Sequence, residues 1–312
     1  MQAYALTTTD GPAALRLTNL PTPTPGPDEV LLRTTALSLN PVDVKTSYGK
    51  GVYGLLKDES PLILGWDVVG EVVAVGASVT TFQPGDVAFG MVNFPGAGRT
   101  YAEYVAAPAA HLAHKPAQVT EAEAVAATLA ALTAWQVLVQ ARVQPGQRVL
   151  IHAAAGGVGH YAVQLAKERG AYVIGTASPA KVDFVRALGA DEVLDYTQVE
   201  FEAATLPVDL VLDSIGGDHL GRSLRLVKPG GALTSIVGGI TPALTARAQA
   251  QGATIHNLLV ASSGADQAAI AARLADGRLR SHVARSYPFA QLPDALRELA
   301  VGKTQGKIVV TR

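Results

Sequence analysis

Arg148-Val-Leu-Ile-His-Ala-Ala-Ala-Gly-Gly-Val-Gly-His-Tyr-Ala-Val-Gln-Leu-Ala-Lys167 reads as a buried strand, a glycine turn and an amphipathic helix in immediate succession. Val149, Leu150 and Ile151 form the apolar strand; Gly156, Gly157 and Gly159 form the turn. Val158, Ala162, Leu165 and Ala166 then recur at helical spacing. Such a turn aims free backbone N–H groups at an anion and lets a pyrophosphate approach without meeting side chains. Laid on G-x-G-x-x-G, the segment places Ala154 at the first glycine, then Gly156 and Gly159.

The pattern continues beyond the turn. Gly170 is placed to cap the helix, and Tyr172-Val-Ile-Gly-Thr176 reads as a second strand. Sites specific for NAD carry an acid about 20 residues past the glycines, bonded to the adenosine ribose. Here that place holds Thr176, Ala177 and Ser178, with Lys181 beyond and no acid before Asp183. A carboxylate there would repel a 2′-phosphate, whereas a hydroxyl and an ammonium attract one. The expected cofactor is NADPH.

Composition narrows the class. Of 312 residues 48% are hydrophobic and 16% charged, the balance of a compact enzyme with a large core rather than a disordered chain. A formal net charge of −1, with no basic run interleaved with aromatics, gives no reason to expect nucleic acid or an anionic membrane as partner. The absence of cysteine excludes disulfides, thiolate metal sites and cysteine nucleophiles together. The start, Met1-Gln-Ala-Tyr-Ala-Leu, shows neither a basic leader nor an apolar stretch, so the expected location is cytoplasmic. Neither G-x-S-x-G nor G-x-x-x-x-G-K-[ST] occurs, which disfavours acyl and phosphoryl transfer.

Two regions differ in character. To about Pro116 the chain is strand and turn, with β-branched runs at Glu29–Leu39 and Val68–Val75 and turns at Pro21–Pro27, Gly76 and Pro84–Asp86. From Thr120 it becomes alanine-rich helix (Ala122–Leu138). Strands then alternate with helices, near Val149–His152, Tyr172–Thr176, Asp191–Leu194, Leu210–Asp213 and Ala232–Val237. That alternation predicts an α/β fold with a doubly wound parallel sheet. A helix over Gln267–Ala275 and a strand over Lys307–Thr311 follow.

The chain resembles the medium-chain dehydrogenase/reductase superfamily. Within it the resemblance is to the zinc-free quinone oxidoreductases, the ζ-crystallin-like group, near the alkenal/enone oxidoreductases. The motifs that carry it are Ser38-Leu-Asn-Pro-Val-Asp-Val-Lys45, Leu64-Gly-Trp-Asp-Val-Val-Gly-Glu71 and Pro84-Gly-Asp-Val87 in the first region. Ala130-Ala-Leu-Thr-Ala-Trp135, the Ala153–Gly159 loop, Leu188-Gly-Ala-Asp191 and Gly306-Lys-Ile-Val-Val310 carry it further. The resemblance implies a discontinuous GroES-like catalytic domain (1–116 and 266–312) around a Rossmann NADPH-binding domain (117–265). It also implies a homodimer. In zinc-containing members a cysteine, the histidine of Gly-His-Glu and a second cysteine hold a catalytic zinc. The corresponding places here carry Asn40, Trp66 and Leu129, none of them a normal zinc ligand. A metal-activated alkoxide mechanism is therefore not expected, and His111 with His114, in a run leaving the β-rich region, does not restore one.

What the resemblance leaves is hydride transfer from NADPH to an acceptor already electron-poor, a quinone or an α,β-unsaturated carbonyl. Asn40 and Lys45 are its candidate groups at the nicotinamide and acceptor, with Tyr48 and Tyr53 as wall or donor residues. Asp43 is read either as a partner for Lys45 or as a turn residue. Gly156, Gly157 and Val158 are expected at the pyrophosphate; Thr176, Ser178, Lys181 and Tyr196 at the 2′-phosphate; Thr133, Val237, Gly238, Leu259 and Val260 at the nicotinamide. Lys307 is expected to reach the cofactor from the C-terminal segment. The competing reading is a non-catalytic NADPH-binding protein, crystallin-like or RNA-associated.

Overall fold

The computed structural model describes all 312 residues as two compact units, Met1–Leu132 with Ala261–Arg312, and Thr133–Val260. The breaks fall at 132/133 and 260/261, where the sequence suggests 116/117 and 265/266. The short helix Glu121–Ala126 packs on the strands Glu29–Ser38 and Asp67–Val75, and the helix Gly264–Ala275 on Leu112–His114, which assigns both helices to the β-rich unit.

The unit Thr133–Val260 is built on six strands, numbered within it: β1 Arg148–Ile151, β2 Tyr172–Ala177, β3 Glu192–Asp195, β4 Val208–Asp213, β5 Val227–Ser235 and β6 Thr254–Asn257. All pairings are parallel, in the order β3-β2-β1-β4-β5-β6. Val149, Leu150 and Ile151 of β1 have no exposed surface, as expected of a strand covered on both faces. The chain runs outward from β1 on one side and from β4 on the other. Strand order therefore reverses between them, and the loops after these two strands meet at the carboxyl edge where dinucleotides bind in such sheets. The helix Gly159–Glu168 buries Tyr161, Ala162, Val163, Leu165 and Ala166, and Gly170, at φ +75°, ends it.

The other unit holds a seven-stranded sheet. Its path is Val283–Pro288, Lys307–Thr311, Glu29–Ser38, Asp67–Val75, Val87–Met91, Leu112–His114, with Tyr104–Pro108 also pairing Glu29–Ser38. Lys307–Thr311 runs parallel to Val283–Pro288 and antiparallel to Glu29–Ser38, joining residues from opposite ends of the sequence. Val30, Leu32, Val68, Val72, Phe82 and Ala88 form the core on one face. A small antiparallel sheet, Leu15–Asn19, Gln2–Leu6 and Leu62–Ile63, completes the unit. The single helix expected over Ala122–Leu138 is two helices, Glu121–Ala126 and Leu129–Gln140. At the break the Thr128 hydroxyl donates to Val125 O, and the Leu129 N–H is captured by the Asp67 carboxylate, 3.0 Å away. No helix is long and apolar enough to cross a membrane.

Candidate functional site

In the dinucleotide unit the loop 152–158 leaves β1 and enters the helix Gly159–Glu168. Three bonds shape it. Ala154 N–H donates to Thr176 O (2.9 Å), Ala153 N–H to Thr176 Oγ1 (3.1 Å), and Gly156 N–H to Ala153 O (2.8 Å). The N–H groups of Gly157 and Val158 take no acceptor within the chain, which leaves them available to an anion at the helix start. A Cβ on Gly159 would lie 2.3 Å from Ala153 O and 2.7 Å from Ala154 Cα, so only glycine permits this approach of loop and helix. These features fit a dinucleotide pyrophosphate.

The remaining cofactor candidates divide. Ser178 and Lys181 lie half-buried in the segment after β2, and burial lowers the Lys181 pKa. Tyr196, after β3, is 55% exposed; Val237 and Leu259, after β5 and β6, are also exposed, and Gly238 is half-buried. Thr133 is buried, as is Val260. Thr176 departs from expectation. It is buried and its hydroxyl accepts from Ala153, so it braces the glycine loop instead of facing a phosphate.

In the β-rich unit Asn40, Trp66 and Leu129, the three residues expected in place of zinc ligands, are all buried. Trp66 is 1% exposed, donates from Nε1 to Gly96 O (2.7 Å) and packs edge-on against Phe94. Leu129 is buried, and Asn40, 2% exposed, sits in a polar network absent from any local reading of the sequence. Its Nδ2 donates to Asp67 Oδ2 (2.7 Å), and its Oδ1 accepts from Lys307 Nζ (2.6 Å). Lys307 also donates to Leu39 O (2.7 Å) and lies 3.9 Å from Asp67. Ser38 Oγ adds a 2.7 Å bond to the same Asp67 oxygen, so both carboxylate oxygens are engaged.

Lys307 therefore does not extend to a cofactor. At 3% exposure it is the buried cation that balances Asp67 and fixes the Asn40 amide, and desolvation lowers its pKa. Asp43 is neither a partner for Lys45 nor an exposed turn residue. Fully buried, it accepts from Asn40 N–H at 2.5 Å and caps the helix Pro41–Ser47. Burial, reinforced by the Asp67 charge, pushes its carboxyl up to about 8 against the opposing Asn40 N–H and Lys307. The same burial raises the pKa of Tyr101, whose hydroxyl is coupled to Asp43. Lys45 and Tyr48 are exposed at the far end of that helix, and Tyr53 is half-buried at the start of the next, Tyr53–Leu56.

Asp67, the centre of this network, is not among the residues expected from the sequence; the signal for it there is an acid leading the apolar strand Asp67–Val75. His111 and His114 serve separate neighbours, the first accepting from Asn93 N–H and the second contacting Thr81 O. A cavity of about 730 Å³ in this unit, lined in part by Pro21, Ser60, Pro61, Asn93 and Arg99, includes none of the four catalytic candidates.

Comparison with known proteins agrees with this architecture. Residues 26–117 match the alcohol dehydrogenase GroES-like domain, and residues 188–310 match the zinc-binding dehydrogenase family. The chain is 34% identical to the chloroplastic quinone-oxidoreductase QR1 of Triphysaria versicolor, over 96% of this chain and 94% of that one. It is 31% identical to the chloroplastic NADPH-dependent alkenal/one oxidoreductase of Arabidopsis thaliana, over 99% of this chain and 79% of the relative. The solved quinone oxidoreductase from Coxiella burnetii superposes with a TM-score of 0.94 at 35% identity, covering 100% of this chain and 99% of that one. The chain belongs to the medium-chain dehydrogenase/reductase superfamily, among the relatives of its quinone oxidoreductases, and is an oxidoreductase served by a nicotinamide cofactor.

Proposed function

We propose that the protein is a zinc-independent reductase that passes hydride from NADPH to a quinone or to the β-carbon of an α,β-unsaturated carbonyl. One observation carries this reading. Asn40 is locked between Asp67 and Lys307, and Trp66 and Leu129 are buried core residues, at the three places that the resemblance aligns with the ligands of zinc-containing members. A site without a Lewis acid suits acceptors that already withdraw electrons. The named activities of the two plant relatives support the same two substrate classes.

NADPH, when bound, supplies the hydride; the chain's own groups bind, orient and donate. The amides of Gly157 and Val158 would hold the pyrophosphate, and Ser178 and Lys181 the 2′-phosphate. The Asn40 network fixes the start of the helix Pro41–Ser47, which displays Lys45 and Tyr48 as donors toward charge developing on the acceptor's oxygen. Support for NADPH over NADH is the half-buried ammonium of Lys181 and the lack of an acid in residues 176–182. Lys181→Glu is expected to raise KM for NADPH roughly tenfold or more while leaving that for NADH nearly unchanged. Equal changes with both cofactors would place the phosphate elsewhere. NADPH binding without turnover of a simple quinone or a short enal would favour the non-catalytic alternative. The same reading makes the enzyme a homodimer, supported by β6, which pairs only with β5 and leaves its outer edge open.

A further inference from the structure

The central strands β1 and β4 run side by side with Ile151 opposite Leu212, so His152 and Asp213 leave the sheet together at its carboxyl edge. His219 joins them from the helix Asp218–Leu224. His152 and Asp213 are completely buried and His219 half-buried, with one donor atom from each lying within 4.8 Å of the others. Two of these atoms have no hydrogen-bond partner, Asp213 Oδ2 and His219 Nδ1. The Asp213 carboxylate is held in place by its other oxygen, which accepts from Ile215 N–H (3.2 Å) and Gly216 N–H (2.7 Å). An oriented, buried carboxylate oxygen left bare is costly unless something binds it.

We propose that His152, Asp213 and His219 form a binding site for a divalent transition ion of the zinc type, with water as the fourth ligand. Two imidazoles and a carboxylate suit zinc better than magnesium or calcium, which take mostly oxygen ligands. Zinc ligands stand at roughly 2.0–2.2 Å, so the donor atoms close in by about 1 Å, with half-buried His219 as the moving member and the way in. His152 contacts Ser223 Oγ through Nε2 (2.8 Å) and Thr176 Oγ1 through Nδ1 (3.3 Å). To ligate, one of these nitrogens gives up its hydroxyl contact, the longer one to Thr176 at the lower cost, and the other keeps a hydroxyl that fixes the ring. The neighbouring cation Arg222 is neutralised by Glu200 and Glu202. The site belongs wholly to the dinucleotide unit.

The test titrates the chelator-treated full chain with Zn²⁺ alone by calorimetry and with Co²⁺ alone by visible absorbance. One ion per chain is expected, together with a zinc-dependent rise in melting temperature. His219→Ala and Asp213→Asn should each weaken binding at least tenfold, the scale on which outer-shell losses already act. His114→Ala, which removes an exposed histidine 3.9 Å from Asp86, should leave binding intact. Absence of micromolar binding, unchanged binding in His219→Ala, or loss of binding in His114→Ala would each overturn the proposal.

Discussion

The glycine loop after β1 and the network around Asp67 solve the same problem, holding polar groups inside a protein, by opposite means. The loop is fixed by backbone bonds and one hydroxyl, all drawn from residues 153–176. The network is fixed by side chains from Ser38, Asn40, Asp43, Asp67 and Lys307, with the Leu129 amide closing it. A backbone-held site is sensitive to volume and indifferent to charge. A side-chain-held site is the reverse, because each buried charge is tolerated only while its partner stays.

The sharpest break of this contrast is Lys307→Met. It nearly conserves shape but leaves Asp67 buried without its cation, and should cost about 3–5 kcal/mol in denaturant unfolding. A loss no larger than that of a surface substitution would show that the network does not act as a unit. Gly159→Ala comes next. Its Cβ meets backbone 2.3 Å away, so overpacking of roughly 1–3 kcal/mol is expected, with weakened NADPH binding in a fluorescence titration. Unaltered affinity and stability would mean the loop is less tightly constrained than its geometry implies.

The effect expected of Asp43→Asn grows with pH, and it carries a sign. Burial lifts the folded pKa of Asp43 from 3.8 to about 8, so the folded chain binds the extra proton between those values and loses stability as pH climbs through them. The variant lacks that dependence. Relative to the parent it should gain stability steadily from about pH 5 to about pH 8, by up to roughly 1.4 kcal/mol per pH unit, measured by melts across the range. A difference from the parent that stays flat between about pH 5 and about pH 8 would mean that Asp43 is ionised in the folded protein.

The same contrast explains what could be read from the chain before its structure was known. The strand–glycine–helix segment is local, so periodicity and turn chemistry expose it, and the doubly wound sheet follows from repeating that unit. The task of Lys307 is illegible in the sequence because its partner Asn40 is 267 residues away, and no spacing rule reports such a bond. Asp43 stands in the first turn of a short helix, where an acid caps its start; that this cap is also buried beside a second acid is a tertiary fact. Thr176 was assigned from its distance past the glycines, but whether its hydroxyl turns outward or back to Ala153 depends on where the loop crosses β2.

The strand 307–311 also sets an order of events during synthesis. It is wedged between Val283–Pro288 and Glu29–Ser38, pairing with Ala36, Leu37 and Ser38. While a nascent chain is still on the ribosome, the dinucleotide unit has all its strands, whereas the sheet begun at residue 29 waits with an open edge. Translation cut short before residue 307 would therefore release a folded Rossmann unit attached to an unfinished sheet, which is a ready template for aggregation.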